Sequence, residues 1–343
     1  MSPKILITGG TGYIGGSVLH TLATAHPEWS ITALLRTEPS DFSSKYPGVR
    51  VVRGTYDDAD VLAREAAGAD VVVHNGNSDH LPSLQALLAG LLRQPREKPG
   101  VLIHLSGTGI VSDFLSATHL GISNPKIWSD ISSLDEIRSL PDMALHRLTE
   151  KLLHETAKTE GEGEGKIRIA VMCPPDIYGR GLGPGKTKSA FVPMFLREVG
   201  KLGRVFYVGE GENRRSWVHV NDLMSVYLRL VEEGVKEGGG VAGWNEEGYY
   251  FAGSQEVSHM EVARTMGEIL KRHGMIENEE PIPISLEQLD GMIERHPMLG
   301  RYLFASNSRT KAERAKILLD YNPQAASLLE SIEDDILAEI KKD

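Results

Sequence analysis

Lys4-Ile5-Leu6-Ile7-Thr8-Gly9-Gly10-Thr11-Gly12-Tyr13-Ile14-Gly15 decides the fold of this chain. Lys4 to Thr8 is a short apolar run that reads as a buried strand. Ile14 to Ala25 is apolar-periodic and reads as a helix. A glycine pattern carries meaning in this setting, where a strand enters a tight turn and a helix leaves it. Gly9 permits the turn, Gly12 lets the backbone approach a pyrophosphate, and Gly15 lets the helix pack close to the strand. The helix start then offers free N–H groups and the positive end of its dipole to phosphate. Gly9, Thr11, Gly12, Tyr13, Ile14 and Gly15 are therefore candidate phosphate-binding residues.

Strands and helices alternate beyond this turn, the pattern of a parallel sheet covered on both faces. Ile31–Leu35, Val49–Arg53, Ala69–His74, Val101–Leu105 and Arg168–Met172 read as strands. Val71-Val72-Val73 suits burial on both faces. Asp57–Ala67, Leu81–Leu92 and Pro141–Lys158 read as helices, with Pro141 in a first turn. Gly161–Gly165 reads as a solvated loop. The fold class is α/β, a Rossmann-type doubly wound parallel sheet. After Tyr178 the pattern is less regular. Gly179–Lys188, with four glycines, reads as a mobile loop. Ala190–Gly200, Asn221–Glu232, Ser258–Arg272 and Ala325–Lys341 read as helices, the second capped by Asn221 and Asp222.

The 343 residues are 41% apolar and 24% charged, ordinary for a globular protein with ample core. A net charge of −10 leaves no basic footprint for nucleic acid. No apolar run reaches the ~18 residues of a membrane span, so no membrane partner and a cytoplasmic location are expected. Cys173 is the single cysteine, which excludes a disulfide within the chain. The scattered histidines lack zinc spacing, so no metal is expected.

The second strand ends Leu34-Leu35-Arg36. An acidic residue near this point binds ribose hydroxyls in NAD sites, whereas an arginine suits the 2′-phosphate of NADP. Arg36 thus favours NADP(H), with NAD(H) the alternative, and Lys45 is placed to assist.

These landmarks together resemble the extended short-chain dehydrogenase/reductase superfamily, of the NAD-dependent epimerase/dehydratase type. They are the glycine turn, Ala69–His74, His104-Leu105-Ser106-Gly107-Thr108-Gly109, Cys173-Pro174-Pro175-Asp176-Ile177-Tyr178-Gly179 and Trp217–Leu223, in order along most of the chain. The resemblance implies a nucleotide domain of residues 1–178 plus about 216–252. It implies a substrate lobe of about 179–215 plus 253–343, a small-molecule substrate and a homodimer. It also places Pro174 and Ile177 beside the cofactor.

The family's chemistry uses a hydroxyl residue, a tyrosine and a lysine. Thr108 matches the hydroxyl position, with Ser106 two residues earlier. The tyrosine–lysine pair is where this chain departs. Its helix reads Arg147-Leu148-Thr149-Glu150-Lys151 after His146. If Lys151 is the ribose-binding lysine, Arg147 occupies the tyrosine position and Glu155 matches a common acidic position. If His146 replaces the tyrosine, Glu150 falls on the lysine. The first frame fits two landmarks and is preferred here. His146 then lies about 100° round the helix from Arg147. Three readings stay open: His146 or another side chain supplies a proton; Thr108 and Arg147 hold the carbonyl while water supplies it; or the site is inactive. Imidazoles ordinarily titrate at about 6.5, which suits proton transfer. Tyr178 is a further donor candidate or a wall of the pocket.

Arg215 matches an arginine that meets the substrate diphosphate in nucleotide-sugar enzymes of this fold, and Lys186 and Lys188 lie on a loop that can close over substrate. Gly109 and Ile110 follow Thr108, where a dehydratase carries an acidic pair, so elimination is disfavoured. The expectation is an NADP(H)-dependent carbonyl or enone reductase, or an epimerase, lacking the usual tyrosine. The alternatives are an inactive NADP-binding regulatory or scaffold protein, and a nucleotide-sugar epimerase.

Overall fold

The computed structural model describes residues 2–93, 97–161, 165–293 and 297–340. Its centre is a seven-stranded parallel sheet. The strands are β1 (Lys4–Thr8), β2 (Ser30–Leu35), β3 (Arg50–Arg53), β4 (Val71–His74), β5 (Gly100–Leu105), β6 (Ile167–Cys173) and β7 (Tyr249–Phe251). Their order is β7-β6-β5-β4-β1-β2-β3. The order reverses between β1 and β4, and ligands of open α/β sheets bind at such a switch point. β4 is buried along its whole length, as three consecutive valines in the sheet's centre require. The Tyr13–Ala25 and Val220–Val235 helices pack together, and so do Ala59–Ala67 and Leu81–Leu91.

A second apolar core stands beyond the carboxyl ends of the strands. Phe191, Phe195, Phe206 and Phe304 pack around buried His259, Phe191 stacked on Phe195 and the other pairs edge-on or tilted. Its helix His259–Arg272 begins with a capping box, Ser258 with Glu261, which satisfies two orphan N–H groups at once. A three-stranded sheet, Gln255–Ser258, Arg214–His219 and Asp176–Tyr178, joins this core to the main one.

The return of the chain to the main sheet is β7, paired in parallel with β6. Ala312, Ala315, Leu319 and Tyr321 also pack on the main core. The segment around residues 310–321 therefore belongs with the nucleotide-binding layer, although the sequence grouped it with the far lobe. The helix expected from Pro141 begins instead at Arg147, because His146 takes a left-handed backbone, φ 64°, that no helix continues through. Residues 162–164 of the expected glycine–glutamate loop lie outside the described residues.

Gly179–Lys188 is a strap packed on the first helix, not a free loop. Lys186 N–H donates to Thr11 O at 2.9 Å, Leu182 N–H to Ser17 Oγ at 3.0 Å, and Tyr13 Oη to Gly179 O at 2.7 Å. A Cβ on Gly183 would lie 2.4 Å from Gly16, and one on Gly185 2.3 Å from Thr11 O. These glycines serve close approach of two backbones. The sequence read them as mobility.

Candidate active site

The glycine turn is built as its sequence requires. Gly9 has φ 73°, and a Cβ there would stand 2.2 Å from Asn75 O. A Cβ on Gly15 would stand 2.4 Å from Gly9 O, so strand and helix touch through glycine alone. Gly12 differs: only Gly9 O, at 3.2 Å, lies near its missing Cβ. Gly12 is also the N-cap of the Tyr13–Ala25 helix, and no side chain caps it. An open backbone face with uncapped N–H groups is what a pyrophosphate needs. Asn75, beside Gly9 and Gly15, receives a hydrogen bond from Tyr227 Oη at 2.8 Å, while its buried Nδ2 has no partner among the described residues. The turn, its open face and this amide fit a dinucleotide.

A cavity of about 350 Å³ adjoins the turn, lined by Gly9, Thr11, Arg36, Tyr56, Asp57 and His80 among others. It sits at the end of β2, where an adenosine belongs in this fold class. Arg36 is exposed on its rim and pairs with no carboxylate among the described residues. The Tyr56 ring lies flush with Gly76, where a Cβ would be 2.5 Å away. His80 Nε2 is 3.2 Å from Asp57 Oδ1. Sequence reading missed Tyr56, Asp57 and His80; the Gly54–Asp58 turn after β3 was a signal for the first two, and His80 caps the helix after β4.

At the end of β5 the chain turns through Ser106, Gly107 and Thr108. Thr108 is buried; its N–H donates to Pro174 O at 3.0 Å and its carbonyl accepts from Ser308 Oγ at 2.8 Å. Pro174 thus supports the Thr108 turn directly. Ile177 is a half-buried core residue paired with Val218. His146 faces this turn: its Nε2 would be 3.1 Å from a Cβ on Gly107. Its Nδ1 is 2.9 Å from Asp79 Oδ1. A carboxylate only accepts, so Nδ1 donates to Asp79 and Nε2 is the nitrogen turned to Gly107. The bond in turn holds Asp79 below the usual carboxylate range.

Glu150, one turn further along the helix, is buried beneath. It accepts from Ser106 Oγ, and Tyr249 Oη lies 3.1 Å from its Oε1. Desolvation pushes its carboxyl up to about 7 against the opposing pull of these hydroxyls and of His146. His146 and Glu150 are the pair, four residues apart, that the helix presents to the end of β5.

Arg147 and Lys151 do not join them, which corrects the preferred frame. Lys151 stands about 140° round the helix from His146, exposed, with its Nζ 3.4 Å from Asp142. Arg147 is buried on carbonyls, its Nε donating to Leu140 O at 2.9 Å and its Nη2 to Arg138 O, and so staples the preceding segment to the helix. It holds no carbonyl at Thr108. Tyr178 is also elsewhere: its hydroxyl donates to Ala326 O at 2.7 Å and accepts from Gln255 Nε2 at 2.6 Å within the small-sheet core, and burial raises it to about 12. Tyr13 is tied to the strap, and burial raises its phenol far above the ordinary value.

Arg215 differs most from its expected role. It is buried, and Asp176 faces it with both oxygens. Its Nη1 donates to Tyr302 O at 2.7 Å and Ser306 Oγ at 2.8 Å. That guanidinium is closed by internal partners. No group of metal-ligating residues occurs among the described residues, and no helix among them is long and apolar enough to cross a membrane.

Comparison with known proteins agrees with this architecture. Residues 1–89 match the NmrA-like family and residues 144–242 the NAD dependent epimerase/dehydratase family. The chain is 28% identical to an oxidase, ucsJ, of Acremonium sp, over 100% of this chain and 99% of that one. It is 23% identical to a dTDP-glucose 4,6-dehydratase of Mycobacterium tuberculosis, over 67% of this chain and 69% of that one. Among solved structures, a dTDP-glucose 4,6-dehydratase of Streptomyces venezuelae holding NAD superposes with a TM-score of 0.64 at 19% identity, covering 97% and 96% of the two chains. A UDP-glucose 4-epimerase of Thermotoga maritima gives 0.64 at 18%, covering 98% and 99%. With its glycine turn, its sheet switch point and its Thr108 turn, this chain has the Rossmann-type fold of those structures, and it resembles the NmrA-like family in its first 89 residues and the NAD dependent epimerase/dehydratase family over residues 144–242.

Proposed function

We propose that the protein is an NADP(H)-dependent reductase of a small carbonyl or enone compound. The observation that carries the substrate class is the closure of Arg215 by Asp176, Tyr302 and Ser306. A diphosphate would have to displace the half-buried Asp176 carboxylate to reach that buried guanidinium, which argues against a sugar nucleotide. Gly12 and the uncapped helix start would hold the pyrophosphate, and Arg36 would hold the 2′-phosphate with its planar fork. The bound cofactor would supply the hydride. Thr108 orients the substrate carbonyl. His146, fixed by Asp79, keeps Nε2 available for a proton beside Gly107.

Fluorescence titrations of NADPH and NADH against wild type and Arg36→Ala test the cofactor. Loss of a charge-assisted phosphate contact, about 1.5–3 kcal/mol, should weaken NADPH by about 10–100-fold and leave NADH unchanged. Equal NADPH binding by both proteins would remove the NADP assignment. Oxidation of bound NADPH by small aldehydes, ketones and enones tests the reaction. Binding without turnover of any of them would favour a second reading, a cofactor-binding regulatory or scaffold protein. The absence of a tyrosine–lysine pair on the Arg147–Glu160 helix favours that reading too.

A further inference from the structure

Thr108 has a different neighbour on each flank. His146 stands at Gly107. At Gly109 a Cβ would meet Leu145 Cδ1 at 3.1 Å and Tyr302 Oη at 3.2 Å. Tyr302 comes from the far lobe, nearly two hundred residues along the chain. It sits in a single π-turn, Arg301–Ala305, a geometry found frequently at functional sites.

The surroundings fix its ring. The guanidinium carbon of Arg215 lies 4.5 Å from the ring centroid, and Phe114 meets it edge-on at 6.1 Å. Arg215 Nη1 and Ser306 Oγ both donate to Tyr302 O. Ser112 Oγ donates to Ser306 Oγ at 2.8 Å, and Ser308 Oγ to Thr108 O at 2.8 Å, so the two segments are stitched together. Tyr302 thus brings a phenol to the turn that carries Thr108, beside a fixed cation.

We propose that Tyr302 is the hydroxyl that meets the substrate's carbonyl oxygen and gives it a proton, in place of the tyrosine missing from the helix. This assignment rests on the reductase reading above. A reduced nicotinamide bound there would supply the hydride for the new C–H bond and would itself be oxidised. The carbonyl π pair takes the Tyr302 proton, giving an alcohol, and the phenolate regains a proton from solvent. Burial and Asp176 raise the phenol's pKa, Arg215 opposes them, and the net direction is upward. The group therefore stays protonated near neutrality, as a donor must.

The test uses the full chain, isotopically labelled at tyrosine Cζ and loaded with NADPH. Benzamide serves as a carbonyl probe that cannot be reduced, and benzaldehyde as the substrate. Tyr302→Phe keeps the ring over Arg215 and identifies the Tyr302 resonance by its loss. That resonance should move when benzamide is added at saturation. Benzaldehyde turnover should fall by about 100-fold or more in Tyr302→Phe, with KM and NADPH affinity nearly unchanged. Gly109→Ala, which crowds the phenol oxygen, should lower kcat in the same sense. A resonance that stays still overturns the proposal, as does a Tyr302→Phe enzyme with wild-type turnover while His146→Gln loses it. A resonance that moves in a wild type that reduces nothing supports the contact and overturns the reductase reading alone.

Discussion

Glu150→Gln should make the protein more stable at alkaline pH and leave it unchanged at acid pH. Both hydroxyls that approach Glu150, from Ser106 and Tyr249, meet the same oxygen, Oε1, which a glutamine amide retains. The substitution therefore removes the charge and keeps the acceptor. Burial raises this carboxyl from 4.5 to about 7. Below the unfolded value both states are protonated and the group has no effect. Between that value and the folded one the native state binds a proton that the unfolded chain has released. Wild-type stability then falls by about 1.4 kcal/mol per pH unit. Above the folded value the loss is complete, at about 3 kcal/mol for a rise from 4.5 to about 7. Unfolding entropy of about 2.1 cal/mol/K per residue over 343 residues converts this to a melting-point gain of about 4 °C. Thermal unfolding followed by circular dichroism from about pH 4 to about 8.5 measures it, as the difference between variant and wild type at each pH. A difference near zero at the acid end that grows through neutrality is the expected curve. A flat difference, or a variant destabilised at every pH, would refute the claim that desolvation outweighs the groups that stabilise the Glu150 carboxylate.

Lys151→Ala should leave NADPH affinity within about twofold of wild type, since an exposed ion pair contributes little and its side chain stands away from the turn; a large loss in the titration would restore the Lys151 frame. Arg215→Met should cost about 3–5 kcal/mol by leaving Asp176 unpaired, and Arg215→Met with Asp176→Asn should recover most of it in thermal unfolding. If the double variant is no more stable than the single one, the pair is not the buried unit described. Gly185→Ala puts a Cβ 2.3 Å from Thr11 O and should lift the strap, measured as faster tryptic cleavage after Lys186 and Lys188. Unchanged cleavage would mean that the strap does not depend on that contact.

The central sheet was legible because its signals are local. The glycine turn, the valine run of β4 and the strand–helix alternation each follow from a few neighbouring residues, and each stands where the sequence put it. β7 was not predicted as a strand, for it is three residues long and becomes a strand only by pairing with β6. The strap was misread because glycine spacing alone does not tell a free loop from a backbone laid against a helix. Tyr302 and the Arg215–Asp176 pair join residues about 40 to 200 positions apart, and no motif spans such distances.

The catalytic helix failed for a different reason. Its leucines at 148 and 152 suggest one buried face, yet Leu148 is 56% exposed and Leu152 only half-buried. The helix instead buries Arg147, Thr149, Glu150 and Thr156 along with Leu153. Polar groups turned inward contradict the usual amphipathic rule, and such conflicts are expected where a chain holds a site at some cost in stability. Each inward polar group has a partner: Arg147 staples the 138–140 carbonyls, Thr149 donates to Ser78 O at 2.8 Å, Glu150 accepts from Ser106, and Thr156 donates to Leu152 O at 2.8 Å. The left-handed backbone at His146 then delivers the imidazole to Gly107 one residue before the helix begins. The turn that carries Thr108 is thus met from both sides, by an imidazole from the helix N-cap at Gly107 and by a phenol from the other lobe at Gly109.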